Sequence, residues 1–141
     1  MTQGCVSLQR RLQYWTGGLT TPHDLAGKAL IHDLSVDTHT GFATWGDWLL
    51  RAGAPEVDTS RSMQVNNSAA VLQAAIDGHG VALARSVMAC DDVAAGWLVP
   101  LFPGIKLASE LAYYVVYRAK CASQSKLVAF RERLMQEATP C

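Results

Sequence analysis

Short apolar runs alternate along this chain with longer stretches whose apolar residues recur at helical spacing. The short runs are typical of strands, and they cover residues 29–33, 62–65, 81–84, 97–99 and 111–117. The longer stretches predict helices, and they cover residues 22–27, 44–52, 68–77, 87–95 and 123–138. Strands that alternate with helices at this spacing predict an α/β fold with a largely parallel or mixed sheet flanked by helices.

Three small polar residues, Asn66, Asn67 and Ser68, lie between an alternating apolar run and an alanine-rich helix. Asn67 or Ser68 is well suited to cap that helix, because either side chain can accept a hydrogen bond from its first N–H groups. A helix N-terminus also has unpaired N–H donors and a partial positive charge, which favour a small anionic or polar ligand. The local sequence leaves both interpretations open, a simple cap and a ligand site.

The strand predicted at residues 29–33 ends in two polar residues, His32 and Asp33. In open α/β sheets, ligands bind at the edge where the strand-to-helix turns gather. We therefore expect the polar end of this strand to face a loop or a cleft.

Two tryptophans identify the most hydrophobic helix face. Trp45 and Trp48 recur with Leu49 and Ala52 at helical spacing, directly after a capping-box pattern that begins at Thr44. We expect both tryptophans to lie in the core.

The composition excludes several classes of protein. The chain has 141 residues, of which half are hydrophobic and 17% are charged, so it is expected to fold as one compact domain. Lys and Arg number 12, as do Asp and Glu, and this balance predicts no direct nucleic-acid binding. No apolar run approaches the roughly 20 residues that span a bilayer, so we expect no membrane contact and a cytoplasmic location.

No motif for a metal, a cofactor or catalysis emerges. The four histidines lie on different predicted elements, and the four widely separated cysteines are expected to be reduced thiols. Gly78-His79-Gly80 follows a helix and precedes a strand, the reverse of a dinucleotide-binding loop. Ser68 lacks a nucleophile elbow, and Asp91 and Asp92 point about 100° apart on a helix. We therefore predict no metal, no cofactor and no enzymatic activity.

The order of several motifs resembles one family of regulators. The segments "LTTPHDLAGKALIHD" and "TWGDWLLRAG" precede "NNSAAVLQAAIDGHGVALARSVMACDDVAAGWLVPLF", which is followed by "AYYVVY" and "AFRERLMQE". This order resembles the effector (substrate)-binding domain of LysR-type transcriptional regulators, in the branch that includes the glycine-cleavage and β-lactamase activators. The likeness covers residues 19–137, and its most specific part begins at Ser68, with the pattern S-x-x-x-x-x-A-A-x-x-G-x-G-V-A-L.

The resemblance implies a periplasmic-binding-protein-like (type II) architecture, in which two α/β lobes enclose an effector cleft. Residues 19–103 are similar to the second lobe, the effector-binding α/β region. Residues 104–141 are similar to a returning hinge strand with the C-terminal helix. Residues 1–18 have no clean hydrophobic period and form an irregular or extended lead-in.

The resemblance also implies a ligand site. Asn66, Asn67 and Ser68 match the helix N-terminus that the second lobe offers to the effector, and Tyr113 or Tyr114 matches an aromatic residue at the cleft edge. Together with His32 and Asp33, these residues are expected to bind a small polar metabolite. The winged helix-turn-helix and most of the first lobe have no counterpart in this sequence, which suggests a fragment or a truncated protein with weak effector binding.

The last predicted helix supports a second expectation. Its apolar stripe, Leu127, Phe130 and Leu134, would return to the absent lobe, and an exposed stripe of that kind favours self-association. We therefore expect a homodimer formed through residues 111–138. The leading functional hypothesis is a small-molecule (effector) binding domain without its own DNA-binding segment. The alternative is an interaction module that self-associates or pairs with full-length regulators to modulate transcription.

Overall fold

The structure, a computed structural model, describes residues 19–35, 42–108 and 114–138 in full and residues 2–9 by their backbone. It divides into two units, Met1–Glu110 and Leu111–Cys141. The strands of the first unit are β1 (Thr2–Gln9), β2 (Leu30–Asp33), β3 (Ser62–Val65), β4 (Val81–Arg85), β5 (Leu98–Pro100) and β6 (Leu107–Ala108). Its helices are α1 (Trp45–Arg51), α2 (Ser68–Ile76) and α3 (Ser86–Ala94), with a 3-10 turn at Pro22–Leu25. The second unit contains a 3-10 turn at Ala119–Cys121 and helix α4 (Ser125–Glu137).

The first unit is built on one mixed sheet with the strand order β3-β2-β4-β1-β5, and β6 pairs with β1. Strand β2 is parallel to both β3 and β4, whereas β1 is antiparallel to β4, β5 and β6. The expectation of a largely parallel or mixed sheet is confirmed. Strand β1, which the sequence left as an irregular or extended lead-in, lies inside the sheet between β4 and β5.

Alternating side chains of the central strands contribute to two hydrophobic cores, one on each face of the sheet. Leu30 and Val81 point to the face that α1 covers, whereas Ile31 and Ala82 point to the opposite face, which α2 and α3 cover. The period of two along β2 and β4 therefore places apolar side chains on both faces, as expected for strands that helices cover on both sides.

The core beside α1 is dominated by the two tryptophans, as predicted. Trp45 and Trp48 are almost fully buried, and their rings meet edge to face with centroids 5.8 Å apart. Phe102 continues the stack, with its ring centroid 5.6 Å from that of Trp48. The indole N–H of Trp45 donates to the backbone carbonyl of Ile31 at 2.9 Å and so ties α1 to β2.

Helix α1 begins at the residue that its capping box predicts. The Thr44 hydroxyl accepts from the backbone N–H of Asp47 at 3.2 Å, and the Asp47 carboxylate accepts from the backbone N–H of Thr44 at 2.8 Å. Hydrogen bonds from the side chain and backbone of Thr44 lower the pKa of Asp47 below its ordinary value. The two residues therefore satisfy each other and fix the start of the helix.

The second unit differs from its prediction in one element. The sequence predicts a strand over residues 111–117, but residues 114–118 of the described chain lie in no strand. Residues 111–113 lie outside the described part. Tyr114 and Val116 have strong β-propensity, but they are 81% and 91% exposed, because propensity forms a strand only where a neighbouring strand satisfies its backbone. The helix predicted at residues 123–138 is confirmed as α4.

The cysteines are not all reduced thiols, so that prediction is wrong for Cys90. Cys90, on α3, is disulfide-bonded. Cys121 is free. Sequence spacing does not report which cysteines the fold brings within the few ångströms that a disulfide requires.

Two kinds of feature are absent from the described residues. Within those ranges, no three His, Cys, Asp or Glu side chains converge as metal ligands would. None of the described helices combines the length and the hydropathy that a transmembrane span requires.

Candidate functional site

A cavity of about 160 Å³ opens where the parallel strands β2 and β4 end. The carboxyl ends of these strands supply Asp33 and Arg85, and the helix that follows β3 supplies Ser68 from its first turn. Apolar side chains form most of the remaining wall; they are Ile31, Leu34, Phe42, Ala43, Trp45, Val71, Leu72, Leu83, Ala84 and Met88. This is the sheet edge at which ligands of α/β proteins bind.

The Ser68 hydroxyl joins two residues of opposite charge. It donates a short hydrogen bond to Oδ2 of Asp33 and accepts one from Nη2 of Arg85 at 2.8 Å. Residues that are 35 and 17 positions away from Ser68 in the sequence therefore meet on one oxygen atom. We name this group, Asp33, Ser68 and Arg85, the polar triad.

Further contacts hold the two ends of the polar triad. Oδ1 of Asp33 accepts from both the backbone N–H and the hydroxyl of Ser35, the former at 2.9 Å. The guanidinium carbon of Arg85 lies 4.9 Å from the ring centroid of Phe42, within the range of a cation–π contact. Ser35 therefore orients the carboxylate and Phe42 the guanidinium, and Phe42 also borders the cavity.

The three residues of the Asn-Asn-Ser cluster have different positions. Asn67 is the N-cap of α2, because its Oδ1 accepts from the backbone N–H groups of Ala69 at 2.9 Å and Ala70 at 3.1 Å. Ser68 borders the cavity, whereas the exposed Asn66 and Asn67 are not among its lining residues. One cluster therefore combines a helix cap with a cavity-facing hydroxyl.

His32 lies beside Asp33 on β2 and borders the same cavity. Burial lowers the pKa of His32 below the ordinary value, while a hydrogen bond with the Thr59 backbone acts in the opposite direction. Its Nε2 atom is buried and has no hydrogen-bond partner among the described residues. The neutral imidazole is therefore the favoured form at this position.

Tyr113 falls outside the described residues, and Tyr114 is 81% exposed in the second unit. The structure adds three residues that sequence reasoning missed, which are Arg85, Phe42 and Ser35. Arg85 carried a signal of the same kind as Asp33, because it is a charged residue at the carboxyl end of an apolar strand. Phe42 and Ser35 carried no comparable signal, since both lie in connecting segments.

The polar triad offers a ligand one carboxylate, one hydroxyl and one guanidinium on a single side of a largely apolar cavity. Such a wall can fix the orientation of a polar molecule by hydrogen bonds while apolar contacts exclude water. The cavity is smaller than the roughly 300–1,000 Å³ of sites that hold drug-sized ligands. Its size therefore suits a molecule of only a few heavy atoms.

Comparison with known proteins gives the chain a family. The LysR substrate binding domain family matches residues 7–139. The glycine cleavage system transcriptional activator of Escherichia coli K12 is 38% identical over 120 residues, which are 85% of this chain and 37% of that protein. The same activator from Escherichia coli O157:H7 gives the same values. The chain thus spans little more than a third of the length of these relatives.

Solved structures show the same fold. The effector domain of the transcriptional regulator AmpR of Pseudomonas aeruginosa superposes with a TM-score of 0.69 and 24% identity, over 96% of this chain and 61% of that one. The regulatory domain of CrgA, a LysR-type transcriptional regulator from Neisseria meningitidis, superposes with a TM-score of 0.67 and 17% identity, over 98% of this chain and 65% of that one. These neighbours confirm the expected periplasmic-binding-protein-like α/β fold.

The motif order that suggested the family thus agrees with a family match over nearly the whole chain, with a relative at 38% identity and with the fold of two regulators. The relatives are named as regulators of transcription and not as enzymes. The chain belongs to the family of LysR substrate-binding domains.

Proposed function

We propose that this chain is a non-enzymatic sensory domain that binds a small polar metabolite, the effector, in the cavity beside the polar triad. The observation that carries this proposal is the meeting of Asp33, Ser68 and Arg85 on one side of an apolar cavity at the carboxyl ends of the parallel strands. Three polar side chains from separate elements converge there, which is typical of a binding site.

The proposal keeps the division of the chain that the family resemblance suggested. Residues 19–103 supply the effector-binding region, residues 104–141 correspond to the returning hinge segment and the C-terminal helix, and residues 1–18 to the lead-in. His32, Asp33 and Ser68 are proposed to contact the effector. Asn66 and Asn67 are proposed to stabilise the bound effector from the N-terminus of α2, and Tyr113 from the cleft edge. As part of a regulator of transcription, the domain would act in the cytoplasm.

Ligand binding is expected to raise the thermal stability of the chain, and Ser68→Ala is expected to abolish that rise. A ligand at about ten times its Kd stabilises the folded state by about 1.4 kcal/mol, which is a shift of several degrees in Tm. A thermal-shift screen with amino acids, small carboxylates and neutral polyols at about 20 mM measures the effect, because weak binding is expected.

Ser125→Ala is the matched control, since Ser125 is an exposed serine of α4 in the other unit. It should leave every shift unchanged. A screen in which no compound raises Tm would contradict the proposal. So would shifts that persist in Ser68→Ala.

The exposed apolar residues of the second unit support a second candidate function, that of an interaction module. On α4, Phe130 is 56% exposed and Met135 is 73% exposed, and Leu134 beside them is also exposed. Exposed apolar side chains at helical spacing favour packing against another surface. We take that surface to be a second copy of the chain, so that residues 111–138 pair in a symmetric dimer. Pairing with full-length regulators is the other form of this interaction.

Phe130→Glu is expected to convert a dimer into a monomer, because it places a charge where an apolar ring would be buried. Size-exclusion chromatography with light scattering at tens of micromolar measures the molar mass of both proteins. Leu50→Glu is the control, since Leu50 is 68% exposed on α1 and lies outside residues 111–138. A monomeric wild-type chain would exclude the homodimer. Co-purification with a regulator from the host would point to the mixed assembly instead.

A further inference from the structure

The polar triad places a negative and a positive group one hydroxyl apart on the same cavity wall. Asp33 and Arg85 both bond to Oγ of Ser68, and both line the cavity. We propose that the ligand is a compact zwitterion, with an ammonium group directed to Asp33 and a carboxylate directed to Arg85, as in a free α-amino acid. This inference rests on the proposed function, since it names the chemistry of the same site.

The carboxylate of Asp33 has capacity for a ligand. Three donors from the described residues reach it, which are the backbone N–H of Ser35 and the hydroxyls of Ser35 and Ser68. An ionised carboxylate has about four acceptor positions, so one remains for a further donor. A ligand ammonium group supplies that donor together with the opposite charge.

The surroundings of Arg85 suit a carboxylate. Arg85 precedes α3 directly, its guanidinium lies over the ring of Phe42, and both residues border the cavity. Guanidinium geometry matches carboxylate oxygens in paired hydrogen bonds. The N-terminus of α2 beside Ser68 adds a partial positive charge on the same side.

The arrangement disfavours ligands of a single charge. A monoanion at Arg85 would bring its charge close to the Asp33 carboxylate, and a monocation at Asp33 would lie close to the Arg85 guanidinium. A zwitterion satisfies both groups at once, and the single Ser68 oxygen between them requires that its two charges be only a few ångströms apart. The cavity of about 160 Å³ limits the rest of the molecule to a short, mainly apolar side chain.

Matched analogue series test this with the 141-residue chain as it is. The zwitterions are L-alanine, L-2-aminobutyrate and L-valine, each compared with its analogue that lacks the amino group and its analogue that lacks the carboxylate. For alanine these analogues are propionate and ethylamine. Titration calorimetry and Tm shifts at constant ionic strength measure each affinity. We expect at least one zwitterion to bind, and both of its analogues to bind at least tenfold more weakly.

Removing one charge should change the preference of the site as well as its affinity. In Asp33→Asn, the analogue without the amino group is expected to bind at least as well as the parent zwitterion. In Arg85→Gln, the analogue without the carboxylate is expected to bind at least as well as the parent zwitterion. A merely structural role for either residue would weaken all three ligands equally. Asp91→Asn, an exposed acid on α3, is the matched control and should leave the ranking unchanged.

The outcomes separate this inference from the function on which it rests. Suppose that a monoanion, a monocation or a neutral polyol binds as tightly as the zwitterions, and that Ser68→Ala abolishes this binding. The proposed effector site is then supported, whereas the zwitterion inference is contradicted. If no compound of any charge class binds, both the proposed function and the zwitterion inference are contradicted. Because the analogue series uses the wild-type chain, the result does not depend on whether the charge variants fold.

Discussion

Trp48→Ala is expected to lower the free energy of unfolding by about 3–5 kcal/mol, a large fraction of the 5–15 kcal/mol typical of a domain. Trp48 is fully buried between Trp45 and Phe102, so alanine would leave a cavity that the packed rings cannot close. Urea denaturation followed by far-ultraviolet circular dichroism measures the loss. A midpoint close to that of the wild type would contradict this account of the core.

A pair of phenylalanine variants refines the test. The indole N–H of Trp48 is buried without a hydrogen-bond partner among the described residues, whereas that of Trp45 donates to the Ile31 carbonyl. Trp48→Phe removes an unsatisfied donor, but Trp45→Phe breaks a hydrogen bond that is worth about 1 kcal/mol. We therefore expect Trp45→Phe to destabilise the chain more than Trp48→Phe. The reverse order would show that the indole of Trp48 has a partner.

Gly80→Ala is expected to destabilise the chain by about 1–3 kcal/mol or more, because a methyl group has no room there. A Cβ atom on Gly80 would lie 2.4 Å from the carbonyl oxygen of Ala29 and 3.2 Å from Cγ1 of Ile31. The first contact is with backbone that accepts the N–H of Val81 at 2.8 Å, so relief would require β4 to move away from β2.

Gly104→Ala is the matched control for Gly80→Ala. A Cβ atom at Gly104 would meet nothing within 4 Å, and the backbone there is not in the left-handed region. Its effect should stay within about 0.5 kcal/mol, as for most surface substitutions. Equal Tm values for the two alanine variants would show that the strand pair β2–β4 tolerates separation. A loss of ligand binding in Gly80→Ala at low temperature would show that the same separation disturbs the polar triad.

Part of the candidate site was accessible from the sequence. Asp33 ends a strand whose period is clear, so the rule that ligands gather at the carboxyl edge of a sheet identified it. Ser68 was identified by its place at a helix N-terminus and by the family resemblance. Arg85 obeys the same rule but was missed, because an arginine that precedes a helix is usually a solvated surface residue. Its contact with Ser68 depends on the parallel pairing of β2 and β4, which no local pattern specifies.

The strand predicted at residues 111–117 shows the opposite error. The local pattern of aromatic and β-branched residues was strong, yet Tyr114–Tyr117 form no strand in the structure. Strand β1 is the converse case. Its residues lack a clear hydrophobic period, yet they form a strand in the interior of the sheet. In both cases the deciding factor was the presence or absence of a neighbouring strand.

The sequence by itself determined the order and the limits of most helices and strands, the capped start of α1 and α2, the two tryptophans in the core and the family. These properties depend on side-chain period and on hydrogen bonds between residues at most four positions apart, which are local. Only the tertiary structure decided that β1 lies beside β4, that Cys90 is bonded, and that Asp33 and Arg85 share the hydroxyl of Ser68. Those contacts join distant parts of the chain, and their energies exist only once the sheet has brought the partners together.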